Sequence, residues 1–282
     1  MYYIKIPLFL NNNSILIKSD IEEPINLIKE IFFRFGLQNI TEKEFFDQTD
    51  SFVIEIKKEI VGYKLSGDEE YEELTKQDLV FLLYDLIEKK FSALDLQGYS
   101  VLHGAALESN GSTIGLVATT RTGKSTLAAY MSGRGFKCLA DDSIIVNRSD
   151  YSVCPYFLPI SLRNIDLLGD DFQKKILYHG FNRLRNEYNY LFIPQYSKDY
   201  IKSTKLKAIV FLMRGHPLKI EKISKSESYL KLLNNIKFSK DFDREIGNMV
   251  VLSNKIDCYI LYYNELEEAR KAIKGILNTT SK

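Results

Sequence analysis

The chain of 282 residues has no tryptophan, three cysteines, three histidines and six prolines, and its 38 Lys and Arg almost cancel its 37 Asp and Glu. Cys138, Cys154 and Cys258 are odd in number and far apart, which fits neither a disulfide framework nor a zinc site. The matching compartment is a reducing cytoplasm. A net charge of +1 lacks the strong positive field that nucleic acid or an anionic membrane rewards, so neither is an expected partner. No apolar run approaches the ~18 residues of a membrane span. The start, MYYIKIPLFLNNNSILIK, has no charged segment followed by an apolar run and a small-residue cleavage site, so no secretory signal is expected. Internal repeats and low-complexity linkers are also absent. What is present is 45% hydrophobic residues, enough apolar surface to offset the entropy of ordering the chain into one large domain or two moderate ones.

The first hundred residues read as a small α+β unit. YYIKIPLF and SILIK are strand-like runs separated by Asn11, Asn12 and Asn13. Pro24 suits a first helical turn, and Ile25, Ile28, Ile31, Phe32 and Phe35 give a helical stripe ended by Gly36. FVIEI alternates as a strand, and Thr75 with Asp78 has capping-box spacing before a helix running to about Phe91. This unit has no histidine, cysteine or glycine-rich loop, and its acidic run at Asp68, Glu69, Glu70, Glu72 and Glu73 reads as a solvated loop.

From Tyr99 the character changes. YSVLHGAAL and STIGLV are β-prone runs around Asn110-Gly111, a strong hairpin signal. With those two residues as the loop, cross-strand partners have numbers summing to 221, so His103 faces Ala118. The segment Ala118, Thr119, Thr120, Arg121, Thr122, Gly123, Lys124, Ser125 and Thr126 follows the second strand and opens a helix. It reads as a phosphate-binding loop with Ala118 in place of the first glycine. Backbone N–H groups and the helix N-terminus suit phosphate oxygens, Lys124 suits the β- and γ-phosphates of ATP, and the Ser125 hydroxyl suits Mg²⁺. Gly133 and Gly135 suit left-handed positions at the end of that helix. Strands FKCLA and SIIVN flank Asp141 and Asp142, which read as metal and proton-accepting carboxylates or as a turn-forming pair. His103 reads as a core histidine or as a group at the phosphoryl centre; His179 and His216 have no such placement.

The run HGAALESNGSTIGLVATTRTGKSTLAAYMSGRGFKCLADDSIIV resembles the catalytic core of HPr kinase/phosphorylase, a serine kinase family related in fold to phosphoenolpyruvate carboxykinase. The corresponding motifs are His103-Gly104, the loop from Ala118 to Ser125, Arg134-Gly135 and Ala140-Asp141-Asp142. The resemblance implies an α/β fold: a mixed-sheet P-loop kinase domain over 99–282, preceded by a small α+β accessory or substrate-recognition domain over 1–98. It implies ATP and Mg²⁺ as cofactors, phosphate binding by Lys124, Mg²⁺ binding by Ser125, assistance by His103, and Asp142 as base toward a serine hydroxyl, with Asp141 as metal ligand or structural partner. The family's acidic signature before Arg-Gly is matched only by Pro159 to Arg163, where Ser161 stands in the acidic position. The departure leaves reverse phosphorolysis open, and Arg163 remains a phosphate contact or a surface ion pair.

As a whole the chain resembles the HPr-kinase-related kinases encoded with ribosomally made peptides, including lasso peptides. That resemblance implies a peptide or small-protein substrate in the cytoplasm; oligomeric relatives make a homo-oligomer an expectation. A small-molecule kinase and a non-catalytic nucleotide-binding module are the alternatives. The rest of the chain reads as strands KAIVFLMR and CYILYY and helices SESYLKLLNNI, with Tyr229, Leu230 and Leu233 on one side, and LEEARKAIKGIL. Residues 170–200 mix Lys174, Lys175, Arg183 and Arg185 with Tyr178, Phe181, Tyr188, Tyr190, Phe192 and Tyr196, which suits either packing or peptide docking.

Overall fold

The computed structural model describes residues 1–7, 14–47, 51–59, 62–67, 70–94, 96–119, 122–173, 178–182, 187–194, 202–237 and 241–279. The chain divides into two units: Met1–Leu96 with Ile176–Ile193, and Gln97–Lys175 with Pro194–Lys282.

In the first unit, β1 (Tyr2–Pro7) and β2 (Ser14–Ser19) form an antiparallel pair, followed by α1 (Glu22–Phe32), β3 (Gln38–Asn39), α2 (Glu42–Phe46), β4 (Ser51–Lys58), β5 (Tyr63–Ser66), β6 (Glu70–Leu74) and α3 (Lys76–Ser92). The strand order is β3-β1-β2-β4-β5-β6. β4 runs parallel to β2, so the chain must cross over, and α1 with α2 supplies the crossover. Ile4, Ile6, Ile15, Ile17, Ile54 and Ile56 are buried, and the α1 stripe Ile25, Ile28, Ile31 and Phe32 is buried with them. Pro24 sits in the first turn of α1, where an N–H has no intrahelical acceptor to lose.

Residues 70–74 of the acidic run form strand β6, with Lys64 Nζ bridging Glu70 at 3.3 Å and Glu72 at 2.8 Å; Asp68 and Glu69 lie outside the described residues. The carboxylates are solvent-exposed as expected, but the backbone there is a strand and not a loop, with Lys64 on the neighbouring strand offsetting the like charges. Thr75 caps α3 with a reciprocal box: its Oγ1 accepts from the Asp78 N–H at 3.2 Å, and Asp78 Oδ2 accepts from the Thr75 N–H at 3.0 Å. Thr75→Ala removes the half of this box that satisfies a helix N–H, and the expected loss is about 1 kcal/mol of unfolding free energy in a urea titration.

The second unit opens with β7 (Tyr99–Leu102), β8 (Gly104–Ser109), β9 (Ser112–Val117), α4 (Lys124–Ser132), β10 (Lys137–Ala140), β11 (Ile144–Asn147), β12 (Ser152–Cys154), β13 (Ile160–Leu162) and α5 (Asp170–Gln173). β14 (Tyr178–Asn182) and β15 (Glu187–Phe192) form an antiparallel hairpin that belongs to the first unit. Lys174, Lys175, Arg183, Arg185 and Tyr196 lie outside the described residues. The second unit resumes with β16 (Thr204–Arg214), β17 (Lys219–Lys222), α6 (Lys225–Leu233), α7 (Phe242–Lys255), β18 (Asp257–Tyr263) and α8 (Leu266–Asn278).

Its nine-stranded mixed sheet runs β10-β8-β9-β16-β12-β11-β7, with β18 also on β16 and β17 at the edge of β18. β9, β16 and β18 are parallel neighbours, so their carboxyl ends share one edge of the sheet. The β8–β9 register pairs Gly104 with Val117 and Ser109 with Ser112, as the sum of 221 requires. Asn110 and Gly111 both have positive φ, 53° and 77°, which matches the twist of a two-residue hairpin loop.

Three local expectations change. YSVLHGAAL is not one strand: the chain breaks at His103, with β7 pairing to β11 and β8 to β9. An atom at the Cβ position of Gly104 would lie 2.5 Å from Ile144 Cδ1 and 2.7 Å from the Leu116 carbonyl oxygen, so only glycine fits after His103. Gly133 has φ −77°, and the left-handed residue after α4 is Gly135 at φ +90°. On α6, Ser228 and Leu232 are the buried residues and Leu230 is exposed, because the helix turns that face toward the unit's core. Among the described residues no helix is long and apolar enough to cross a membrane.

Candidate functional site

Four elements of the second unit deliver polar side chains to one place. β9 ends at Val117 and leads through residues 118 to 123 into α4, whose N-cap, Gly123, has φ +87°. Thr122 folds back through its N–H and hydroxyl onto the Thr119 carbonyl. Ala118 is buried and is not among the non-glycine residues with positive φ, so a β-carbon is tolerated where the loop signature has glycine. Thr120 and Arg121 lie outside the described residues. The predicted loop residues Thr126 and Lys124 fall in the first turn of α4.

Lys124 is buried to 8% side-chain exposure, unusual for a lysine, and its partners explain the burial. Its Nζ lies 3.1 Å from His103 Nε2 and 3.2 Å from Asp142 Oδ1. His103 Nδ1 lies 3.3 Å from the same carboxylate oxygen. An ammonium has no acceptor, so Lys124 donates to Nε2, and the proton of a neutral imidazole then sits on Nδ1, aimed at Asp142. Burial, followed by the charge of Lys124, pushes the His103 pKa below its ordinary value, consistent with that neutral tautomer.

Asp142 stands between β10 and β11 at φ +69°, a left-handed conformation that aspartate tolerates better than most residues. Its second oxygen accepts from Lys237 Nζ at 2.6 Å, and Lys237 also donates to Ser143 Oγ at 3.0 Å. Burial favours the protonated carboxyl, but Lys124, Lys237 and His103 together outweigh it and hold Asp142 well below the usual carboxylate range. Asp141 is 1% exposed and takes the opposite course. Burial raises its pKa to about 6; Lys124 opposes this, Asp142 adds to it, and the hydrogen bond donated by Ser125 at 3.2 Å opposes it again.

The structure therefore brings together His103, Lys124, Ser125, Asp141 and Asp142. Arg163 lies exposed one residue beyond β13. Sequence reasoning missed Lys237, which is 95 residues from Asp142 and belongs to no motif. It is held by a backbone seam: Lys237 N–H donates to Val101 O at 2.8 Å and His103 N–H to Asn235 O at 2.7 Å. Arg214 and Tyr263 were also missed; they end β16 and β18 beside Gly123, and the rule that ligands gather at the carboxyl ends of parallel strands was the signal for them. His216 packs edge-on against Tyr262, with ring centroids 5.7 Å apart.

Ser125 Oγ and the Asp141 carboxylate are hard oxygen donors of the kind Mg²⁺ takes. The Asp141 carboxylate is buried with a hydroxyl, and no cation, as its side-chain hydrogen-bond partner, so a divalent ion suits it. Among the described residues no group of three or more His, Cys, Asp or Glu side chains is arranged to hold a metal, and two protein ligands completed by phosphate oxygens and water are the usual Mg²⁺ arrangement.

No protein-family model matches the chain. No curated protein matches it either. Among solved structures, the chain is similar to the Hpr(Ser) kinase/phosphatase from Coxiella burnetii, with 12% sequence identity and a TM-score of 0.31, over 63% of this chain and 93% of that one. At that identity and score the likeness is distant.

Proposed function

We propose that this chain is an ATP- and Mg²⁺-dependent kinase that transfers the γ-phosphate to a serine hydroxyl of a peptide or small protein. The observation that carries the reading is the sharing of Lys124 between His103 and Asp142 at the start of the helix that follows the loop. Ser125 and Asp141 hold the metal in this reading; bound there, Mg²⁺ would offset negative charge on the phosphate oxygens.

Asp142 accepts the proton of the acceptor hydroxyl. With three cationic or proton-donating neighbours it is a weak base, suited to accepting a proton late in transfer, when the hydroxyl has become acidic. The phosphate chain competes for Lys124, and each contact that Lys124 shifts from Asp142 to phosphate strengthens the base. His103 donates from Nδ1 to Asp142 and orients it. Arg163 is proposed as a further phosphate contact, and the segment of residues 170–200, rich in aromatic and basic side chains, as a peptide-docking element. The peptide substrate, of the kind made on ribosomes and tailored as lasso peptides are, rests on the motif resemblance.

The test is incubation with ATP, Mg²⁺ and serine-bearing peptides, alongside small hydroxylated metabolites, read by mass spectrometry for one added phosphate. Transfer to a peptide serine is the expected result. Transfer to metabolites alone overturns the peptide substrate, and ATP binding without transfer to any hydroxyl leaves a nucleotide-binding regulatory module in place of a kinase.

A further inference from the structure

β16 and β18 run past the point where β9 turns into the loop. Val117, the last residue of β9, is in register with Phe211, and β16 continues through Leu212 and Met213 to Arg214, which is in register with Tyr263. Parallel neighbours in register point to the same face of a sheet, so the two side chains stand together. They meet the loop at Gly123: an atom at its Cβ position would lie 3.3 Å from Arg214 Nη1 and 3.7 Å from Tyr263 Oη.

Both groups lack what such groups need. Among the described residues no carboxylate or other acceptor pairs with the half-buried Arg214 guanidinium. Tyr263 is 0% exposed, and among the described residues its buried hydroxyl has no hydrogen-bond partner. A buried phenol and a half-buried cation left unsatisfied side by side are each unfavourable, and one anion between them satisfies both. Burial raises the Tyr263 pKa to about 12, so the phenol stays a donor. The N-terminus of α4, a nine-residue helix, adds its free N–H groups and positive end at the same point.

We propose that Arg214 and Tyr263 form an anion subsite behind Gly123 that binds the phosphate chain of the donor nucleotide, separate from the Lys124–His103–Asp142 group. The proposal rests on the kinase reading for the identity of the anion. The division of labour follows from the pairing: Lys124 is shared with Asp142 and engaged in the transfer, whereas Arg214 has no competitor among the described residues and supplies binding alone. Arg214 is therefore a binding residue, and its loss acts on affinity more than on turnover at saturation.

Calorimetric titration of the full chain with ATP in Mg²⁺, and with inorganic pyrophosphate, tests this. Arg214→Gln is expected to weaken both ligands about 10- to 100-fold, the worth of a charge-assisted hydrogen bond, with Arg214→Lys losing less. Tyr263→Phe is expected to weaken them about 3- to 10-fold, as for a neutral hydrogen bond. The melting temperature of the unliganded Arg214→Gln protein should not fall, since no internal pair is broken. Wild-type affinity in Arg214→Gln overturns the proposal while leaving the kinase reading intact. An unliganded melting temperature lowered in both Arg214 variants overturns it in favour of a packing role under the loop. Arg214-dependent binding of pyrophosphate without binding of ATP supports the subsite and overturns the kinase reading.

Discussion

Asp142→Asn is expected to lower turnover by about 10²- to 10⁴-fold, the range for loss of a positioned general base, while ATP binding holds or tightens. The second half is the more diagnostic. Asp142 occupies Lys124 at 3.2 Å and Lys237 at 2.6 Å, so the neutral amide leaves two cations less compensated beside the loop that precedes α4. An incoming triphosphate then meets less competition. The variant should melt lower than wild type, because those cations are 8% and 15% exposed and lose their counter-charge. Single-turnover assays with direct titration of ATP separate these effects. Wild-type turnover in the variant removes Asp142 as the base, and loss of ATP binding makes the cluster a structural one.

The parts of the fold and of the candidate site that were legible in the sequence are those fixed by short-range chemistry. Asn110-Gly111 dictates a hairpin whose register follows by arithmetic as far as Gly104 opposite Val117. The ladder stops there, so the expected pairing of His103 with Ala118 is not formed, and His103 instead bonds Asn235 O through its N–H and meets Lys124 from the break. Thr75 and Asp78 announce their helix because a cap is a contact across three residues. Gly123 and Lys124 mark the start of α4 for the same reason. What the chain hides is the tertiary share. Nothing near Lys237 indicates that its segment will bridge Leu102 and deliver an ammonium to Asp142. The break at His103 was invisible because YSVLHGAAL is β-prone throughout; the crowding of Gly104 by Ile144, from another strand, accompanies the change of pairing partner. On α6, helical periodicity does not say which face turns inward, and Leu230 ended outside.

Asp141 and Asp142, adjacent in sequence, are held in opposite electrostatic states. Asp142 is compensated by its neighbours before any ligand arrives. Asp141 is not, and the unliganded fold carries that imbalance as a stability cost. The folded pKa of Asp141, about 6, is above the value of 3.8 expected unfolded, so between these values the folded state holds more of this proton. Its contribution to stability is fully present below pH 3.8 and is lost as pH rises through 6. Asp142 runs the other way: its folded pKa is depressed, and its contribution is lost as pH falls below the unfolded value. Asp141→Asn should therefore stabilise the unliganded protein at pH 7 by about 1–3 kcal/mol, and by little at pH 4, where the wild-type carboxyl is already mostly protonated. The lower end of that range allows for the new amide N–H₂, which must find acceptors in a buried place. The same variant should lose about 10²-fold or more of its Mg²⁺-supported turnover, since a carboxylate ligand is worth several kcal/mol through the ion it holds. Melting curves of both proteins at pH 4 and pH 7, with turnover measured against Mg²⁺ concentration, check the two signs together. A variant less stable than wild type at pH 7 would mean that the Asp141 charge is already compensated by the fold, and that Ser125 and Asp141 are a structural pair instead of a place kept for a cation.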